Sequence, residues 1–273
     1  MIQRKAAKME HKSIQSARGT VHYWFSHCGN KNSKTIVFTH GLTANHEMFE
    51  KQVEFFKQDY HIIVWDVPLH GLSRPYTDFS YRNCAEELHA ILEAEAIEKV
   101  VLVGMSMGGY PSQMFGAMYP EQTEGFVALD TTPFGLAYYS KSDIWWLERV
   151  GAMANWFSDG MLRKSMAKSV SKTQYSYDVM MRMLKPLTKE DIVTQMDIAY
   201  RGFIQENHDV SFRFPVLILL GEHDKTGKVQ SYCKRWAENT GYPLVIIKDA
   251  AHFSNGDNPQ QVNAAILEFI QTL

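Results

Sequence analysis

Short apolar runs alternate along this chain with longer stretches in which apolar residues recur every three or four positions. The runs TIVFT (Thr35 to Thr39), HIIVWDV (His61 to Val67), VVLV (Val100 to Val103), GFVALDT (Gly125 to Thr131) and VLILLGEHD (Val216 to Asp224), with Pro243 to Lys248, predict buried strands. A strand exposed on one face would instead alternate apolar with polar. Helical spacing runs from Asn45 to Tyr60, with Met48, Val53, Phe55 and Phe56 as the inner face, and from Ser80 to about Ala96, with Cys84, Leu88, Ile91 and Leu92. Further helices are predicted after Ser106 as far as Tyr119, from Val229 to Asn239, and from Asn258-Pro259 to the end, where Val262, Ile266, Phe269, Ile270 and Leu273 form a stripe. Gly19 to Ser26 alternates loosely and reads as an early antiparallel strand, and Asp249 to Asp257, which carries His252, reads as a loop. Strands alternating with helices make a mostly parallel sheet covered on both faces.

The alternation stops between residues 133 and 212. No strand pattern is found there, whereas Ser140-Lys141-Ser142-Asp143 and Thr188-Lys189-Glu190-Asp191 mark capped helix starts and Pro186 separates two helical patterns. The chain therefore divides into an α/β core, 1–132 and 213–273, and a helical lid, 133–212.

Composition narrows the partners. With 28 basic and 30 acidic residues in 273, the net charge is −2, which gives no basic surface for nucleic acid. No run of about 18 apolar residues is present, so no membrane span is expected. The start, MIQRKAAKMEHKS, lacks the apolar segment of a secretory signal and reads as a solvated tail. Cys28, Cys84 and Cys233 are far apart in the chain and read as reduced thiols of a cytoplasmic protein. His46-Glu47 lacks the second histidine of a zinc motif, and the glycines around Ser106 lack the Lys-Ser/Thr of a phosphate loop. Neither metal nor cofactor is expected.

The candidate chemistry lies where strands end. Val100 to Val103 runs into Gly104-Met105-Ser106-Met107-Gly108-Gly109, a serine between glycines directly after a buried strand. A sharp turn from strand to helix puts such a serine in a strained conformation and needs near-absent side chains beside it, which leaves the hydroxyl exposed. Ligands of parallel sheets bind beyond the carboxyl ends of the strands, and the polar residues there are His40-Gly41, Asp66, Ser106, Asp130, Asp224 and His252. A nucleophilic serine needs a base, and the base needs a carboxylate. All three types are available on one edge.

On these motifs, in this order, the chain resembles the α/β-hydrolase superfamily, and specifically its serine carboxylesterase-like members with a helical lid, over about Gly19 to Leu273. The resemblance implies Ser106 as nucleophile, Asp224 in GEHD as acid and His252 in AAHF as base. It makes His40-Gly41 the oxyanion loop, with the backbone N–H groups of Leu42 and Met107 as donors. His40 reads as structural rather than catalytic. Asp130 reads as a turn or cap residue, with a shifted acid as the alternative, and Asp66 and His70 read as loop-forming.

Half of the 14 methionines fall in 133–212, with Trp145, Trp146 and Trp156. Most are expected to pack the lid onto the core. Met105, Trp145, Trp146 and Met180 are expected to line an apolar pocket, because methionines fit varied apolar shapes. The leading expectation is a hydrolase of a small, mainly apolar ester. Cleavage of a C–C bond, lactone or thioester by the same residues stays open, as does a ligand-binding protein on the same fold. Ser106 in place of the Asp of dehalogenases and epoxide hydrolases argues against those chemistries.

Overall fold

The computed structural model describes residues 8–273. An eight-stranded sheet runs through it in the order β1-β2-β4-β3-β5-β6-β7-β8, with β1 (Glu10–Ser16), β2 (Gly19–Ser26), β3 (Thr35–Thr39), β4 (His61–Trp65), β5 (Val100–Met105), β6 (Thr123–Leu129), β7 (Val216–Gly221) and β8 (Leu244–Ile247). From β4 to β8 every pairing is parallel, whereas β2 joins β1 and β4 antiparallel.

The period of two is visible in the core. Ile36, Phe38, Val101, Val103, Val127 and Leu129 face one apolar layer, and Val37, Leu102, Phe126 and Ala128 face the other. The first layer is closed by α1 (Glu50–Phe56) and α10 (Pro259–Gln271). The second is closed by α2 (Tyr81–Ala94), α3 (Gly109–Met118) and α8 (Val229–Thr240). Truncating a buried strand residue such as Leu102 to alanine would cost about 2–5 kcal/mol.

Between β6 and β7 the chain forms α4 (Lys141–Met153), α5 (Asp159–Val170), α6 (Gln174–Leu184) and α7 (Lys189–Glu206) and no strand. The capping signals hold. Thr188 accepts from the Asp191 N–H while Asp191 accepts from the Thr188 N–H, and Ser140 and Asp143 pair in the same way. Ser80 caps α2 and Asn258 caps α10.

Three expectations need correction. Part of the solvated tail is strand β1, whose support is its backbone pairing to β2 and so leaves little apolar signature; residues 1–7 of the tail lie outside the described residues. The helix expected from Asn45 begins as a 3-10 turn, His46–Phe49, and this rotates the buried face: Phe49 is fully buried and Phe55 is 49% exposed. A short helix, α9 (Ser254–Asp257), follows His252 where a loop is predicted. Among the described residues no helix is long and apolar enough to cross a membrane. Cys28, Cys84 and Cys233 are buried and free.

Candidate active site

Ser106 follows β5 with φ of 51°, in the left-handed region that a side chain adopts only under strain. The flanking glycines are explained by distance. A Cβ on Gly104 would fall 2.6 Å from the Gly108 carbonyl oxygen, and one on Gly108 would fall 2.1 Å from that of Thr39. The turn therefore packs against the end of β3 with no room for a methyl group. Thr131 Oγ1, just past the end of β6, donates to the Ser106 carbonyl at 2.6 Å and braces it.

Ser106, His252 and Asp224 come together from three separate strand ends. His252 Nε2 lies 2.8 Å from Ser106 Oγ, and His252 Nδ1 lies 2.7 Å from Asp224 Oδ2. An ionised carboxylate only accepts, so Nδ1 carries the proton, and in the neutral ring Nε2 accepts from the serine. Asp224 is held by the Thr226 N–H at 2.8 Å. Burial works to lower the His252 pKa, but the charge and hydrogen bond of Asp224, with a further contribution from Asp130, raise it above the ordinary imidazole value.

Asp130 does more than end a strand. It is fully buried at the tip of β6, accepts from the Gly221 N–H at 2.7 Å, and accepts from both the backbone N–H and the hydroxyl of Ser254, two residues beyond His252. Burial first, and then the nearby charge of Asp224, push its carboxyl upward. His252 Nδ1 is bonded to Asp224, so Asp130 braces the loops instead of serving as the shifted acid. Its only sequence signal is its position at a strand end.

His40 is wholly buried, with Nδ1 toward the Gly41 carbonyl at 2.8 Å and Nε2 accepting from the Val67 N–H at 3.0 Å. Burial pushes it down to about 4, so the ring is neutral and structural. The loop it holds comes close to the serine: a Cβ on Gly41 would lie 3.3 Å from Ser106 Cβ. Asp66 accepts from the N–H groups of His46 and Leu72 and from the His46 ring, and so shapes its loop as predicted. His70 is buried in the same loop, next to His40.

Ser106 and His252 open on a cavity of about 550 Å³. Leu42, Met107, Met105, Trp146 and Met180 line it. Trp145 is not part of its wall; the Arg149 guanidinium lies over its ring, 4.1 Å from the centroid, and both tryptophans are about half exposed, Trp145 49% and Trp146 53%. The sequence pattern marks both tryptophans as apolar, but only Trp146 contributes to the cavity wall. The walls also include Met166, Met196 and Phe203 from the helices between β6 and β7. Five tyrosines, Tyr81, Tyr110, Tyr139, Tyr200 and Tyr232, complete them and were not predicted. At the mouth, Lys228 reaches Asp143 of α4 at 2.5 Å, and Tyr232 hydrogen-bonds the same carboxylate.

The sequence model of the alpha/beta hydrolase fold matches residues 34–259. The chain belongs to the alpha/beta hydrolase fold family. Similar curated members include 2-(acetamidomethylene)succinate hydrolase of Mesorhizobium japonicum, 27% identical across 86% of this chain and 87% of that one. Another is 3-oxoadipate enol-lactonase 1 of Acinetobacter baylyi, 24% identical across 90% and 91%. A thermophilic esterase from Thermogutta terrifontis shares the alpha/beta hydrolase fold with a TM-score of 0.77 at 20% identity, covering 97% of this chain and 99% of that one. As a member of this family, the chain is a hydrolase.

Proposed function

We propose that this hydrolase cleaves a small, mainly apolar carboxylic ester through an acyl-enzyme on Ser106. The observation that carries the reading is the continuous Ser106–His252–Asp224 hydrogen-bond chain opening on a cavity walled largely by apolar side chains. In this mechanism His252 Nε2 takes the Ser106 proton as Oγ attacks the ester carbonyl, and Asp224 stabilises the imidazolium that forms. The N–H groups of Leu42 and Met107 receive the oxyanion; both residues border the cavity beside Ser106. His252 then gives its proton to the departing alkoxide. Water, deprotonated by the same ring, attacks the acyl-enzyme, and expulsion of Ser106 releases the acid.

Electrostatics favour a neutral substrate. Among the described residues lining the cavity, the one amine, Lys228, is already paired with Asp143, and no guanidinium is present. Burying an unpaired carboxylate in such a space is costly. Two of the similar proteins are named for a succinate derivative and for 3-oxoadipate enol-lactone, and this cavity is a poor match for such acids. The helices between β6 and β7 act in this reading as a lid that excludes water from the acyl-enzyme.

The test is Ser106→Ala assayed on p-nitrophenyl butyrate and with a fluorophosphonate probe. Turnover is expected to fall at least about a thousandfold and labelling to vanish. Labelling of the variant at wild-type stoichiometry overturns the assignment.

A further inference from the structure

Helix α7 turns one face to the cavity: Met196, Ala199, Tyr200 and Phe203, spaced i, i+3, i+4 and i+7, all line it. Three of these are apolar, and the fourth carries a phenol. The five cavity tyrosines differ in one respect. Tyr81 donates to the Ala199 carbonyl at 2.9 Å, Tyr110 pairs with Thr132 Oγ1 at 2.8 Å, Tyr139 donates to the Pro133 carbonyl at 2.6 Å, and Tyr232 bonds Asp143. Tyr200 has no hydrogen-bond partner among the described residues.

The Tyr200 side chain is half-buried, lines the cavity, and sits in surroundings whose burial raises the phenol above its ordinary pKa. Buried hydroxyls are almost always paired, and an unpaired one facing an apolar cavity is a donor that a ligand can satisfy. The raised pKa keeps its proton in place at neutral pH.

We propose that Tyr200 is a specificity-determining residue whose hydroxyl donates to an oxygen acceptor in the cavity-bound part of the substrate, so that the preferred ester is neutral and carries a carbonyl oxygen within its otherwise apolar chain. The proposal rests on the ester-hydrolase reading for its chemistry but not for its binding contact. A site built to hydrogen-bond an oxygen discriminates against the plain alkyl analogue, because the donor is then left unpaired.

The experiment compares p-nitrophenyl esters of straight-chain acids of five to eight carbons with the same esters bearing a ketone at carbon 4, 5 or 6, in wild type and Tyr200→Phe. At one ketone position wild type is expected to show kcat/KM about tenfold or more above the alkyl parent. Tyr200→Phe is expected to abolish that preference, the ketone ester falling to the kcat/KM of its alkyl parent in the same variant. Equal loss on both members of each pair, or no ketone preference in wild type, overturns the proposal. Calorimetric binding of the matching N-butyl amides to Ser106→Ala, with and without Tyr200→Phe, reads the contact without turnover. A ketone-selective affinity that Tyr200→Phe removes, with no ester cleavage by wild type, would sink the ester-hydrolase reading and keep the Tyr200 contact. Ester turnover without such affinity does the reverse.

Discussion

Asp130 Oδ1 accepts a 2.7 Å hydrogen bond from the N–H of Gly221, tying the tip of β6 to the tip of β7 three residues before Asp224. The other oxygen of the same carboxylate holds Ser254, beyond His252. One buried side chain thus fixes the spacing between two members of the candidate site.

Replacing Asp130 separates its two effects. Asp130→Ala leaves the Gly221 N–H and the Ser254 hydroxyl buried without an acceptor, and an unfolding loss of about 2–4 kcal/mol is expected in urea denaturation. Asp130→Asn keeps an acceptor oxygen and should lose less, but it removes a negative charge near His252. Its kcat/KM profile is expected to have an acid limb at lower pH than wild type. An unmoved limb would show that Asp130 carries no charge felt by His252 at that pH and acts through its hydrogen bonds.

The wild-type profile follows from His252. Its folded pKa lies above the ordinary 6.5, because Asp224 outweighs the opposing effect of burial. The proposed reaction needs the neutral ring, so activity rises as pH climbs through that raised value and is lost below it. The acid limb for a non-ionising ester should therefore lie above 6.5, and Asp224→Asn should move it down while reducing kcat steeply. A limb below 6.5 in wild type contradicts the assignment.

Two glycine substitutions contrast strain with tolerance. Gly108→Ala places a Cβ against the Thr39 backbone at 2.1 Å, where neither partner yields without shifting a central strand, and a loss of more than about 3 kcal/mol is expected. At Gly160, near the start of α5, an added Cβ meets nothing within 4 Å, and alanine should be neutral or stabilising by up to about 1 kcal/mol. Thermal melts of the two variants check both signs.

The neighbouring tryptophans of α4 give a third contrast. Trp146 contributes to the cavity wall and Trp145, beneath Arg149, does not. Trp146→Ala is expected to raise KM for an apolar ester about fivefold or more with a smaller change in kcat, because the contact is made in both ground and transition states. Trp145→Ala should stay within about twofold on both constants. Ester kinetics on the two variants, run side by side, decide it.

Strand and helix identity, the break in alternation between β6 and β7, and the helix caps were all legible in the chain, because each depends on periodicity or on a side chain bonding a backbone group a few residues away. The glycines around Ser106 were legible for a related reason: a strained turn against a neighbouring strand leaves a local mark in residue size. Strand β1 was not legible, because an edge strand supported by backbone pairing needs no apolar pattern. Phe55 and Phe49 exchanged places because a 3-10 start shifts the helical phase, and both residues are equally apolar on paper.

The sequence by itself determined the α/β order and the residues available at the strand ends, since those follow from local spacing. Tertiary structure alone decided that Asp224 meets His252 while Asp130 braces the loops around them, because residues 94 positions apart are sorted only by sheet order and burial. It alone put Trp146 and not Trp145 into the cavity wall, and it left one cavity phenol of five without a hydrogen-bond partner among the described residues. Orientation and unpaired hydrogen bonds belong to the packed assembly, and no stretch of chain carries them alone.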